Sequence, residues 1–238
     1  MTTTQIVAAN LVLAVGALLQ GAIGFGLALF AAPLLALIAT GLAPGPLLVA
    51  NVTLTFLMAR REWKAVRLPE VGWMLFGRIF GIGIALWIMG RVSGADMDLL
   101  FGIVILVGVA MSSAGLSLQH NRRTLIGAGV VSGVMGTSTA VGGPPIAIAY
   151  QNQSGPEIRG TLSAYFTIGA VLSAAGLAAT GKFGWPELRT GLLLCPGVIG
   201  GYLASGRLAP ILDRRGLRPI ILGFSAVSAI ALILRRIF

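Results

Sequence analysis

The chain has 238 residues, of which 56% are hydrophobic and only 10% charged, with a mean hydropathy of +0.93. Soluble domains carry about 25% charged residues, so the composition excludes one and describes an all-α multi-span membrane protein. The net charge of +10 is scattered in short clusters between apolar runs, which excludes a nucleic-acid surface and fits positive-inside anchoring in a lipid bilayer.

In chain order, Gln5 to Ala39 is apolar throughout but too long for one crossing of about 20 residues. Its interruption at Gln20–Gly26 predicts two helical pieces joined at a break. Pro46 to Ala59 predicts a short span ended by Arg60, Arg61, Lys64 and Arg67. Spans follow over Pro69–Met89 and Met97–Leu118, separated by a turn with Arg91, Asp96 and Asp98. His120, Arg122 and Arg123 mark a junction. Thr124 to Gln151 predicts a second broken element, of two pieces too short to cross comfortably alone, which fits re-entrant half-helices. Ile158–Ala179, Pro186–Gly206 and Pro219–Leu234 complete the spans, and Arg235 and Arg236 end the sequence. The first segment lacks a basic leader and reads as a retained span.

The two broken elements resemble each other. Gly21 matches Gly133, Gly24 matches Gly136 and Pro33 matches Pro145, all at an offset of 112. Further on, Gly77 and Gly81 match Gly197 and Gly201 at 120, and Gly102 matches Gly223 at 121. The constant order predicts two homologous halves, 1–119 and 120–238, each a broken element followed by three spans. If each broken element crosses an even number of times, 11 Lys/Arg fall in loops on one side and 5 on the other. Matching loops then carry opposite charge, which predicts inverted halves with both termini outside.

The chemistry is sparse. All seven acids lie in loops or at span ends, the single His120 sits in a basic loop with an expected solvated or headgroup-facing role, and the lone Cys195 reads as a packing residue. No metal-ligand spacing, catalytic triad or phosphate loop is present, so neither an enzyme nor a cofactor is expected. Val131 to Pro145 holds the strongest signal: glycines and paired prolines inside an apolar run cannot form one uninterrupted helix. In lipid, irregular backbone survives only where protein buries it or where it lines a wet cavity. Gly142-Gly143-Pro144-Pro145 has the form of a loop entering a helix, whose first amides attract anions. Ser132, Thr137, Ser138 and Thr139 could add donors, or could simply satisfy helix carbonyls. Gly136 permits close approach. In the first half the candidates are Gln20, Gly21, Gly24 and Asn51, while Tyr150, Gln151 and Asn152 could be the interfacial end of a helix. Arg78 is the only base near the middle of a span; it either faces a solute pathway or snorkels to an interface.

The elements Gly21-Ala-Ile-Gly24-Phe-Gly26 and Ser132-Gly133-Val-Met-Gly136, the latter leading to Gly142-Gly143-Pro144-Pro145, together with Glu157-Ile-Arg159-Gly-Thr161, resemble the sulfite exporter TauE/SafE family over nearly the whole chain. The resemblance implies a multi-pass permease of the bacterial inner membrane that exports sulfite or small organosulfonates. Combined with the residues, it gives an expected small anionic solute bound between the two breaks by Gln20, Gly21, Gly24, Asn51, Arg78, Ser132, Gly136, Thr137, Ser138, Thr139, Gly142, Gly143 and Pro144. The alternatives are an anion channel, a permease for another small organic anion, and a non-transporting scaffold. A homodimer is compatible with the sequence.

Overall fold

The computed structural model describes residues 1–24, 26–39, 41–92, 96–115, 118–150, 152–213 and 218–237. Among them every regular element is helical. The α-helices are α1 (Thr3–Ile23), α2 (Leu27–Ile38), α3 (Gly45–Arg61), α4 (Leu68–Met89), α5 (Met97–Ser113), α6 (Arg122–Thr139), α7 (Gly143–Tyr150), α8 (Gly155–Ala179), α9 (Trp185–Asp213) and α10 (Arg218–Ile237), with a 3-10 turn at Trp63–Ala65. Among the described residues, α1, α4 and α8 are long and apolar enough to cross a membrane. The expected span to Leu118 ends five residues early, at Ser113. The expectations for Gln151, Arg214 and Arg215 lie outside the described residues.

Both breaks exist, but the pieces are unequal. Thr2 caps α1 through a capping box with Gln5, and Asn121 caps α6 by accepting the Thr124 N–H. At 18 residues α6 extends about 27 Å and α7 has 8 residues, and neither is among the helices long and apolar enough to cross a membrane, as expected of pieces too short to cross alone. Gly129, Gly133 and Gly136 stay helical because a neighbouring helix or side chain fills the space beside each. The helix stops only at Ala140, whose φ of 64° puts it in the left-handed region. The short arms are α2 and α7.

Each short arm folds back on its long arm. Gln5 Nε2 at the start of α1 donates to the Ile38 carbonyl at the end of α2 (3.2 Å), and His120 Nδ1 just before α6 bonds the Ala149 carbonyl near the end of α7 (3.0 Å). The result is two helical hairpins. His120, exposed in its loop as expected, also acts as a clasp: its Nε2 meets Glu70 at 3.2 Å, and its ring stands edge-on to Tyr150. Tyr150 closes α7 and is fully buried, with its hydroxyl on Glu70.

Glycine contacts give the helix directions. Gly197 and Gly201 of α9 abut Asn10 and Ala14 of α1, while Gly77 and Gly81 of α4 abut Ile126 and Val130 of α6, so both pairs run parallel. On α9, Gly191, Cys195 and Tyr202 meet Val49, Thr53 and Leu57 of α3, again in parallel. On α4, Arg78 meets Gly169 and Ile82 meets Gly176 of α8, also in parallel. Because Glu62 meets Gly160 while Thr55 meets Thr167, α3 runs against α8. Thus α1, α3 and α9 point one way and α4, α6 and α8 the other. A Cβ at Gly77 would stand 2.0 Å from the Ile126 carbonyl oxygen, and one at Gly201 equally close to that of Ala14. Such proximity substitutes dispersion for the water-driven core that lipid cannot provide. The outer faces stay apolar and exposed, as with Val7, Leu11 and Val15 on α1 and Phe76, Ile79 and Phe80 on α4.

Candidate functional site

The two hairpin tips meet. Gln20, Gly26, Ala28 and Leu29 of the first, and Ala140, Val141, Gly142, Gly143 and Pro144 of the second, enclose a hollow completed by Asn51 of α3 and Phe166 of α8. Its volume is about 20 Å³, room for a single water, so the tips are nearly closed on each other.

Local chemistry explains the tips. The left-handed cap Gly24 (φ 103°) ends α1, and its N–H donates to the Gln20 carbonyl at 2.7 Å. Gln20 Oε1 accepts the first amide of α2, Leu27 N–H, at 2.8 Å. Inside α2, Pro33 has no N–H to give the Leu29 carbonyl, and Ser225 Oγ of α10 donates to that oxygen at 2.9 Å. At the second tip Pro144 and Pro145 lack amides, so Gly142 and Gly143 supply the backbone donors at that end of the hollow. Asn51 is 8% exposed and its side chain has no hydrogen-bond partner among the described residues. The Gln20 NH2 group likewise has none. The hollow therefore has an apolar wall of Leu29, Val141 and Phe166 with uncharged N–H donors around it, which suits a small acceptor-rich solute.

The remaining candidates lie apart from the hollow's wall. Gly21 is buried against Ser205, and Gly24 packs on Arg159. Ser138 and Thr139 satisfy helix carbonyls, Ser138 those of Val134 and Met135 and Thr139 that of Met135 while accepting Val141 N–H, whereas Thr137 meets the Ser173 hydroxyl of α8. Ser132 Oγ donates to the Gly142 carbonyl at 2.6 Å and so ties the second tip to its own long arm.

Arg78 does not snorkel; it is 2% exposed. Its guanidinium donates to the Gly169 carbonyl (3.0 Å), Ser173 Oγ (3.0 Å), Tyr165 Oη (3.2 Å) and Ser132 Oγ (3.4 Å), all of them uncharged. Gly136 and Gly169 make the space, since a Cβ at either would fall within 3 Å of the guanidinium. Arg78 thus stands behind the second tip, coupled to it through Ser132. Tyr165, Gly169 and Ser173 were not singled out from sequence, nor were Phe166 and Leu29, because nothing distinguishes such residues within an apolar span.

Two opposed helical hairpins meeting tip to tip at a polar hollow, inside a multi-span helical membrane protein, define a membrane transporter. The family model described as sulfite exporter TauE/SafE matches residues 9–232. The chain therefore belongs to the sulfite exporter TauE/SafE family, membrane transporters of sulfite or related anions. Comparison with curated proteins and with solved structures returned no match.

Proposed function

We propose that the protein is a secondary transporter that exports a small oxyanion, sulfite or an organosulfonate, across the bacterial inner membrane. The observation that carries this reading is the hollow between the hairpin tips, where Asn51, Gln20 and the Gly142 and Gly143 amides offer donors and no carboxylate repels an anion. Gln20, Asn51, Gly142, Gly143 and Pro144 contact the solute. Arg78, Ser132, Gly136 and Thr137 hold the second tip and supply a positive field, and Gly21, Gly24, Ser138 and Thr139 shape the breaks. A hollow with room for only one water, rather than a continuous pore, favours alternating access over continuous conduction.

Alternating access fits inverted halves, α1–α5 and α6–α10. In their support, α1, α3 and α4 each run opposite to their counterparts α6, α8 and α9, and exchanging the halves turns the α1·α9 contact into the α6·α4 contact. In the broken elements α1 and α6 end at Ile23 and Thr139 and α2 and α7 begin at Leu27 and Gly143, both 116 apart, while α2 and α7 end at Ile38 and Tyr150, 112 apart as the matching glycines are. With α3, α4, α6 and α8 directed as described, the loops rich in Lys/Arg share one face, which the positive-inside rule makes cytoplasmic.

Saturable counterflow of labelled sulfite or sulfoacetate by the purified protein in proteoliposomes tests the reading. Flux that competes with unlabelled sulfite is expected. Absence of flux for every sulfur oxyanion and carboxylate tried refutes it.

A further inference from the structure

At the first tip two arginines share one carboxylate oxygen. Arg159 Nε lies 3.1 Å and Arg61 Nε 3.4 Å from Glu62 Oε1, and all three side chains keep partial access to solvent, at 25%, 32% and 19%. Both arginines touch the break itself. Arg61 Nη2 donates to the Gly21 carbonyl at 3.0 Å, and the Arg159 stem packs so closely on Gly24 that a Cβ there would stand 3.0 Å from its Cγ. The hollow is lined by Gln20 and Gly26 of the same tip. The tip therefore separates a two-arginine cluster on the basic face from the donors within.

Among the described residues no exposed arginine pair of this kind stands at the other tip. The Gly45-Pro46 start of α3 corresponds to the Gly155-Pro156 start of α8, so the counterparts of Arg159, Arg61 and Glu62 are Val49, Val171 and Leu172. The first tip thus carries a partly exposed arginine pair, whereas the cation at the second tip is the buried Arg78.

Resting on the transporter reading, we propose that Arg61 and Arg159 form an entrance site for the oxyanion, distinct from the hollow, which Glu62 occupies until the solute displaces it. A planar guanidinium pair binds sulfite or a sulfonate as it binds a carboxylate. Solute in place of Glu62 draws Arg61 from the Gly21 carbonyl and Arg159 from Gly24, which releases the tip toward the hollow. Loading is thereby favoured from the basic face.

The test is sulfite counterflow with the half-saturation concentration measured separately at each face of oriented proteoliposomes. Arg159→Gln and Arg61→Gln should each raise that concentration about tenfold at the basic face, as loss of a charged hydrogen bond does, and leave the opposite face unchanged. Glu62→Gln should lower it at the basic face, because the competitor is gone. A purely structural ion pair would alter both faces together and would make Glu62→Gln harmful; either result overturns the proposal. If the wild type shows no saturable flux, the transporter reading itself fails. The arginine site is then decided by thermal-shift binding of sulfite: binding by Glu62→Gln and not by Arg61→Gln/Arg159→Gln upholds it, while equal binding or none overturns it.

Discussion

Replacing Arg78 by methionine separates the electrostatic role of this residue from its role in packing. The guanidinium is a buried cation with four neutral acceptors and no carboxylate partner among the described residues. A charge at mid-membrane costs about 3 kcal/mol on insertion scales, and an unbranched apolar side chain of similar length removes that cost. Few acceptors are stranded in exchange, since Ser132 still bonds Gly142 and Ser173 still bonds Thr137. Thermal stability should therefore hold or rise. The solute should lose the field of a charge that stands two hydrogen bonds behind the Gly142 carbonyl, 3.4 Å and then 2.6 Å. At roughly 8 Å and an effective dielectric of about 20 that field is worth about 2 kcal/mol, or roughly 30-fold in affinity. The assay is the half-saturation of sulfite counterflow beside the melting temperature of the same preparation. An affinity unchanged in Arg78→Met, or one that falls only as the protein unfolds, refutes the argument.

Three further outcomes follow from the packing and the breaks. Gly77→Ala and Gly201→Ala should each destabilise by about 1–3 kcal/mol through overpacking against a helix carbonyl, while Gly83→Ala, which meets nothing within 4 Å, should be neutral in the same thermal melts. Asn51→Leu should leave the melting temperature close to that of the wild type, because the amide has no protein partner to strand, yet lower sulfite affinity measurably in counterflow. Ser225→Ala should orphan the Leu29 carbonyl opposite Pro33 and cost about 1–3 kcal/mol, seen as a lower melting temperature and faster hydrogen exchange in α2.

The breaks were legible because glycine and proline act through the backbone of their own segment: Gly24, Gly142 and Pro144 end or begin helices wherever the chain places them. Gln20 and Asn51 were legible as uncharged polar groups in apolar runs. The lengths of the arms were not legible: the tips at Ile23 and Thr139 lie 116 apart, while the ends of the short arms, Ile38 and Tyr150, keep the 112 of the matching glycines. The role of the hydroxyls was not legible either. A serine or threonine near a helix end can bond the carbonyl a turn back, and Ser138 and Thr139 do so, which local sequence cannot distinguish from an open donor. Partners remote in sequence were invisible as well: Gly169 and Ser173, which hold Arg78, lie 91 and 95 residues from it.

The hairpins share one architecture but differ in what restrains their tips. The second is tied on several sides: Ser132 to Gly142, Arg78 to Ser132, His120 to Ala149, and Tyr150 to Glu70. The first hairpin has the Gln20 bond to Leu27, the Ser225 bond to Leu29, the Gln5 clasp and the Asn10 amide bonded to Leu193 and Gly197 of α9, all neutral. Its charged restraints, Arg61 and Arg159, are partly exposed and already shared with Glu62, so an arriving anion can compete for them. A neutral-tethered tip under a displaceable ionic latch opens at lower cost than one anchored to a buried cation. On the proposed transport cycle, the hairpin α1–α2 would serve as the gate and α6–α7 as the post against which it closes, around the hollow that both tips line.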